Sequence, residues 1–330
     1  MNIFKKSLIL ILATVAVFTC ACTGNTVSYT IFGGSFWLSS TETGGVAKVN
    51  ETCDYKVSFT PEKDSSVNLV YDDSSKLVTT LSTKTVDGAL YYSFTTELTV
   101  TGTYKLGEKT YPINDKITSE CLFLGINDQF SPLKSSKNVS STTFNADGAM
   151  SFISYAQTIE YSGRKAKVTV SEHEKITEEL KELGVTQTEI QPYEKEFENL
   201  KTPLIDNEIT LFFPRAAELT SGFGASYYSI DALARKVHTL RLSVNSEKSV
   251  SEITVENFVQ DGTNYAEKKF ACNNAEISLS ESFAGSSLRL FFAAAGTKND
   301  NRRRLISMET DAPYRMGTVS YTITSVSTAE

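Results

Sequence analysis

Residues Tyr91 to Leu106, YYSFTTELTVTGTYKL, alternate apolar and polar side chains along their whole length. Tyr92, Phe94, Leu98, Val100, Tyr104 and Leu106 fall on one face, with only Thr96 and Gly102 interrupting. Tyr91, Ser93, Thr95, Glu97, Thr99, Thr101, Thr103 and Lys105 fall on the other. Period-two alternation is the mark of a strand with one buried and one solvated face, and at 3.4 Å per residue this one would run roughly 50 Å. Antiparallel strands of that length twist and coil, so a sheet of them bends around its apolar side. The expected fold class is therefore mainly β, with curled antiparallel sheets forming a half-barrel or a sandwich-like body.

The rest of the chain agrees with that class over most of its length. Tyr and Phe number 15 and 19 against only 7 Pro, and Ser and Thr are abundant, the palette of strands rather than helices. Asp87-Gly88, Asp147-Gly148 and Asp261-Gly262 are hairpin dipeptides, and Leu106-Gly107 and Ser162-Gly163 sit between strand-like runs. Beyond Ala225 further strands follow to Val326. The exception is Ser171 to Thr220, with 12 acidic and 5 basic residues. There Ser171 and Glu174 read as a capping box, Ile176, Leu180 and Leu183 as a helical stripe, and Gly184 as the stop. A second helix is expected near Pro192, with Tyr193, Phe197 and Leu200 as its apolar stripe. Asp206 reads as an N-cap, and Pro214 permits only a short helix starting there. The expected organisation is thus a β-rich lobe over 27–170, a central acidic helical segment over 171–220 serving as connector or lid, and a second β-rich lobe over 221–330.

The N-terminus carries an address. Lys5 and Lys6 precede the uncharged run Leu8 to Cys22, too short for the ~20 apolar residues a membrane span requires. The run ends in Thr19-Cys20-Ala21-Cys22, and Ala21 directly before Cys22 resembles the lipobox of bacterial lipoprotein precursors. That resemblance implies a signal peptide over 1–21, cleavage before Cys22 and lipidation of its thiol. A short tether would follow over 22–26, leaving the body on the extracytoplasmic face of the cell membrane. Two acyl chains would give stable anchoring, at about 0.8 kcal/mol per buried methylene. Thr19 stands where Leu is usual in that family, and Cys20, behind Phe18-Thr19, makes the poorer site. Cys53, Cys121 and Cys272 remain in the mature chain, an odd number without CxxC spacing, and Cys121 and Cys272 read as small buried hydrophobes.

No pattern in the chain reads as catalytic. A serine hydrolase needs a nucleophile on a sharp turn and a histidine base; GxSxG is absent, and the two histidines, His173 and His238, lie in unrelated contexts. Two histidines and scattered cysteines make no metal site, and no cofactor is expected. Gly222-Phe223-Gly224 lacks the strand and helix that phosphate binding requires. A glycosidase would need only two carboxylates, but a sugar cleft favours tryptophan and the chain has one, Trp37. Arg302-Arg303-Arg304 beside a hairpin tip reads as a solvated cluster. A net charge of −7 argues against a nucleic-acid partner.

Two body segments, FSPLKSSK (Phe130 to Lys137) and DNEITLFFPRAAEL (Asp206 to Leu219), are similar to uncharacterised envelope proteins compared with LolA/LolB-like half-barrels. The resemblance implies a curled sheet around a helical lid with room for acyl chains. On that expectation Tyr92, Phe94, Leu98, Tyr104, Phe212 and Phe213 line a site for a lipid or other apolar ligand. The alternative is a structural or protein-interaction lipoprotein whose apolar face is ordinary filled core.

Overall fold

The computed structural model describes residues 50–63, 68–126, 129–144, 149–217, 219–279, 287–294, 303–312 and 316–329. The expected signal segment, Cys22, Trp37, Asp147-Gly148 and Arg302 lie outside the described residues.

The chain is mainly β. Strands β1 (Glu51–Pro61), β3 (Lys76–Val86), β4 (Ala89–Leu106), β5 (Lys109–Ile126), β6 (Gln129–Phe144), β7 (Met150–Ser162) and β8 (Lys165–Ser171) form a continuous antiparallel succession. The period-two alternation of β4 appears in its burial: Tyr92, Phe94, Leu98, Val100 and Tyr104 are buried, whereas Glu97, Thr103 and Lys105 are exposed. Leu106, at the strand end, is 39% exposed. Asp87-Gly88 and Asp261-Gly262 turn with positive φ at both residues (49° and 82°; 48° and 78°), the geometry that matches strand twist in two-residue hairpins. Two short strands complete the edges: β2 (Asn68–Tyr71) on β4 and β9 (Thr186–Thr188), parallel, on β7.

The C-terminal strands do not form a separate sheet. Strand β17 (Gly317–Thr328) pairs along the whole of β1. From β17 the sheet continues through β16 (Leu305–Asp311), β15 (Leu288–Ala293) and β14 (Thr263–Leu279) to β13 (Val250–Gln260). Strand β13 then returns to β17 through a short parallel pairing, Val259 with Ser325 and Gln260 with Val326, closing a five-strand barrel. Strands β12 (Lys236–Ser243) and β11 (Gly224–Asp231) extend the sheet from β14. A parallel bridge between Leu204 and Tyr228 of β11 links this end of the sheet to the segment that follows β8 and its neighbours.

The central region corrects the helical expectation. Ser171 ends β8, paired with Ala156, and caps nothing. One short helix, α1 (Glu178–Glu182), forms, capped by Thr177, whose hydroxyl accepts from Leu180 N at 3.4 Å. Ile176 and Leu180 are both buried, but only Leu180 is helical, and Gly184 stops the helix as its position requires. Glu174, the expected box partner, is taken instead by the hydroxyl of Ser140 at 2.7 Å, and its N–H donates to Ser154 Oγ at 2.9 Å. Around Tyr193 the chain forms a strand, β10 (Tyr193–Phe197), antiparallel to β8. The acidic residues there are strand residues facing lysines, Lys167 to Glu194 at 3.0 Å and, just beyond the strand, Lys165 to Glu198 at 2.6 Å. Cross-strand pairing and the side-chain bonds of β6 and β7 outweigh the weak intrinsic helix propensity.

Candidate functional site

The segment expected to be a lid runs inside the curl. After the Leu204 bridge, Asp206 to Ala217 is buried almost throughout, with Ile209, Phe213, Ala216 and Ala217 at 0% exposure. It folds as two 3-10 turns, Asn207–Ile209 and Phe213–Ala216, with Pro214 in the first turn of the second. Pro214 lacks a backbone donor, so it fits a turn start and would break a longer helix. The segment plugs the concave side that the sequence leaves open for a ligand.

The six expected ligand-lining residues are all buried, and they fall into different packing groups. Phe212 lies 5.4 Å from Phe94, 5.4 Å from Phe123 and 6.0 Å from Phe130, and Tyr92 lies 5.6 Å from Phe123. Tyr92, Phe94 and Phe212 are thus brought together in one aromatic cluster. Phe213 points to the opposite wall, with its ring 4.8 Å from that of Tyr227 on β11. Tyr104 belongs to a separate group near the end of β4, 4.6 Å from Phe144 and 6.2 Å from Tyr111. Leu98 is fully buried.

Polar side chains fix both ends of the plug. At its start, Asp206 Oδ1 accepts from Glu208 N at 2.8 Å, and Asp206 Oδ2 accepts from Ser135 Oγ at 2.6 Å and from the Tyr161 hydroxyl. Asn207 donates to the carbonyl of Ile230 at 2.8 Å and accepts from Ser229 at 2.6 Å. Glu208 Oε1 lies 3.4 Å from Lys137 Nζ and accepts from Gln157 at 3.4 Å. Burial pushes both the Asp206 and Glu208 carboxyls up; hydrogen bonds from Ser135 and Tyr161 pull Asp206 back only in part, and the Lys137 charge does the same for Glu208.

At the other end, Arg215 Nη1 donates to Glu51 Oε1 at 2.7 Å and Arg304 Nε donates to Glu51 Oε2 at 2.7 Å. Burial alone would raise the Glu51 carboxyl; the two guanidiniums outweigh it and hold it at about 2. Beside this triad lies a void of about 10 Å³, bounded among others by Glu51, Tyr55, Phe94, Arg215 and Arg304. That is room for about one water, whereas sites for small ligands occupy about 300–1,000 Å³. Burial, and then the Glu51 charge, push the neighbouring Cys53 thiol up to about 12, which removes it as a nucleophile. Cys53, Cys121 and Cys272 are all free and buried.

Sequence reasoning missed Lys137, Glu208, Glu51, Arg215 and Arg304. Two residues of the basic run are not solvated as expected: Arg303 donates to the Ala217 carbonyl at 2.7 Å, and Arg304 is buried on Glu51. One signal was present for Lys137, which shares strand parity with the buried Ser135 and Val139 of β6. The histidines stand apart from the plug's partners, His173 3.6 Å from Glu174 and His238 3.5 Å from Asp231. Among the described residues, no group of three or more His, Cys, Asp and Glu is placed to hold a metal.

No family model matches the chain, and no curated protein matches it. Among solved structures the chain is similar to a β-barrel-like protein of the domain of unknown function DUF1849 from Brucella abortus. That likeness has a TM-score of 0.47 at 9% identity and covers 86% of this chain and 100% of that one.

Proposed function

We propose that this is an exported, lipid-anchored envelope protein whose non-enzymatic body is a structural or protein-interaction module with a filled interior. One observation carries the choice over an apolar-ligand carrier: residues 204–217 occupy the concave side, with Phe212 wedged among Phe94, Phe123 and Phe130. A carrier keeps empty apolar volume there, and the aromatic rings packed around Phe212 take up that space. The anchor rests on Ala21-Cys22 after the apolar run, and the acidic net charge supports a partner other than nucleic acid.

An environment-sensitive fatty-acid probe titrated into the soluble body tests the filled interior. The expected result is no saturable binding by well-folded protein. Stoichiometric, displaceable binding would return the carrier reading. The anchor is checked separately: Cys22→Ser should abolish incorporation of labelled palmitate and release the protein from membranes, and unchanged labelling would move the modification elsewhere.

A further inference from the structure

Lys137 and Glu208 are buried almost completely, with side chains 1% and 2% exposed and Nζ 3.4 Å from Oε1. Lys137 projects inward from β6; Glu208 sits in the first 3-10 turn of the plug. Asp206 is held against the same turn by its contact with Glu208 N, and Ser135 and Tyr161 fix its second oxygen. A lysine amine and a carboxyl group thus meet where water is excluded, and a second acid on the same turn lies close enough to feel the lysine charge. Two carboxyls share the neighbourhood of one ammonium, an arrangement that carries a large desolvation cost.

We propose that Lys137 and Glu208 condense after folding into an intramolecular amide that ties the plug covalently to β6, with Asp206 relaying the proton. The ammonium gives one proton to Asp206, and the neutral Nζ attacks Glu208 Cδ to form the new N–C bond. Negative charge then gathers on the Glu208 oxygens, where Gln157 donates at 3.4 Å and the Ser119 hydroxyl is also bonded, a placement that stabilises such an oxyanion. The Cδ–O bond breaks as the departing oxygen takes two of the three ammonium protons, one of them through Asp206, and leaves as water. The third proton stays on the amide nitrogen, so atoms and charge balance and no electrons are transferred.

Three physical features favour the step. Folding holds amine and carboxyl in contact, which replaces a bimolecular encounter by an intramolecular one. Burial pushes both carboxyls up, which favours proton transfer from the ammonium to the acid beside it. The product replaces two buried charges with one neutral amide, which removes the desolvation cost of the ion pair. Water then has no ready access to hydrolyse it.

Peptide mass spectrometry of the purified, fully denatured wild-type protein tests the proposal. The expected result is one branched peptide joining the Lys137 and Glu208 segments, lighter by one water than their sum, with no tryptic cleavage after Lys137. Two separate, unmodified peptides from the wild type would overturn the proposal outright. Asp206→Asn, shown to be folded by circular dichroism, should give mostly separate peptides. Full linkage in that variant would overturn the relay assigned to Asp206.

Discussion

Asp115 on β5 is a buried carboxyl that the plug does not neutralise. Its Oδ1 accepts from Thr142 N at 2.7 Å and from Thr142 Oγ1 at 2.9 Å, and its Oδ2 accepts from Ser141 Oγ at 2.9 Å. Burial pushes its carboxyl up to about 6 from an ordinary 3.8, against those three donors. Its own charge in turn raises the already desolvated hydroxyls of Tyr71 and Tyr321. Because the folded state binds this proton more tightly than the unfolded chain, the group's stabilisation is present below pH 3.8. It is lost as pH rises through about 6. At 1.36 kcal/mol per pH unit, the loss is about 3 kcal/mol. Asp115→Asn keeps an acceptor for both Thr142 donors and turns an amide N–H toward Ser141 Oγ, which can rotate to accept. The variant should therefore be about 2–3 kcal/mol more stable than wild type at pH 7.5. For a chain of this size that is a gain in Tm of roughly 3–5 °C. Urea denaturation of both proteins at pH 7.5 and pH 4 measures the difference, which should shrink towards zero at the acid end. A variant less stable than wild type at pH 7.5, or a difference that ignores pH, would refute the reasoning.

Arg215→Met leaves Glu51 buried with Arg304 alone and removes a guanidinium seated 5.3 Å from the Phe212 ring; breaking one partner from such a group should cost about 3–5 kcal/mol. Chemical denaturation at pH 7 checks this, and the acid unfolding midpoint should rise as well, since Glu51 loses one of the charges that hold it at about 2. Tyr227→Phe should gain about 1 kcal/mol in the same assay. Its hydroxyl is buried without a hydrogen-bond partner among the described residues, and the ring contact with Phe213 at 4.8 Å survives the change.

What was legible in the sequence is what local pattern controls. The alternation of β4 predicts its buried face because neighbouring strands supply the same pleat at every second residue. The Asp-Gly dipeptides predict turns because two successive positive φ angles leave few other choices. The Ile176, Leu180 and Leu183 spacing was misleading: i, i+4 and i+7 also arise when a one-turn helix is flanked by loop residues that happen to be buried. The YEKEF run shows the reverse error, since its own alternation fits a strand as well as a helical stripe. The interior charges other than Lys137 were illegible for a different reason. Taken locally, a charged residue is a solvated one, and the partners that bury these lie far along the chain, 164 residues apart for Arg215 and Glu51 and 253 for Arg304 and Glu51.

Those distant pairs also explain how the plug is oriented. Apolar burial of Ile209, Phe212 and Phe213 is non-directional and would be similar for a reversed segment. The charges are not symmetric: Asp206 and Glu208 lead and Arg215 trails, while the wall offers Lys137 at one end and Glu51 at the other. Reversal would set Arg215 against Lys137, two like charges with no acid between them, and crowd the two acids beside Glu51, where Arg304 alone would face three carboxyls. Each such group costs several kcal/mol, more than a single ring contact of about 0.5–1.5 kcal/mol can offset. Aromatic packing thus fills the concave side of the curled sheet, and the two buried ionic clusters decide which way the chain runs across it.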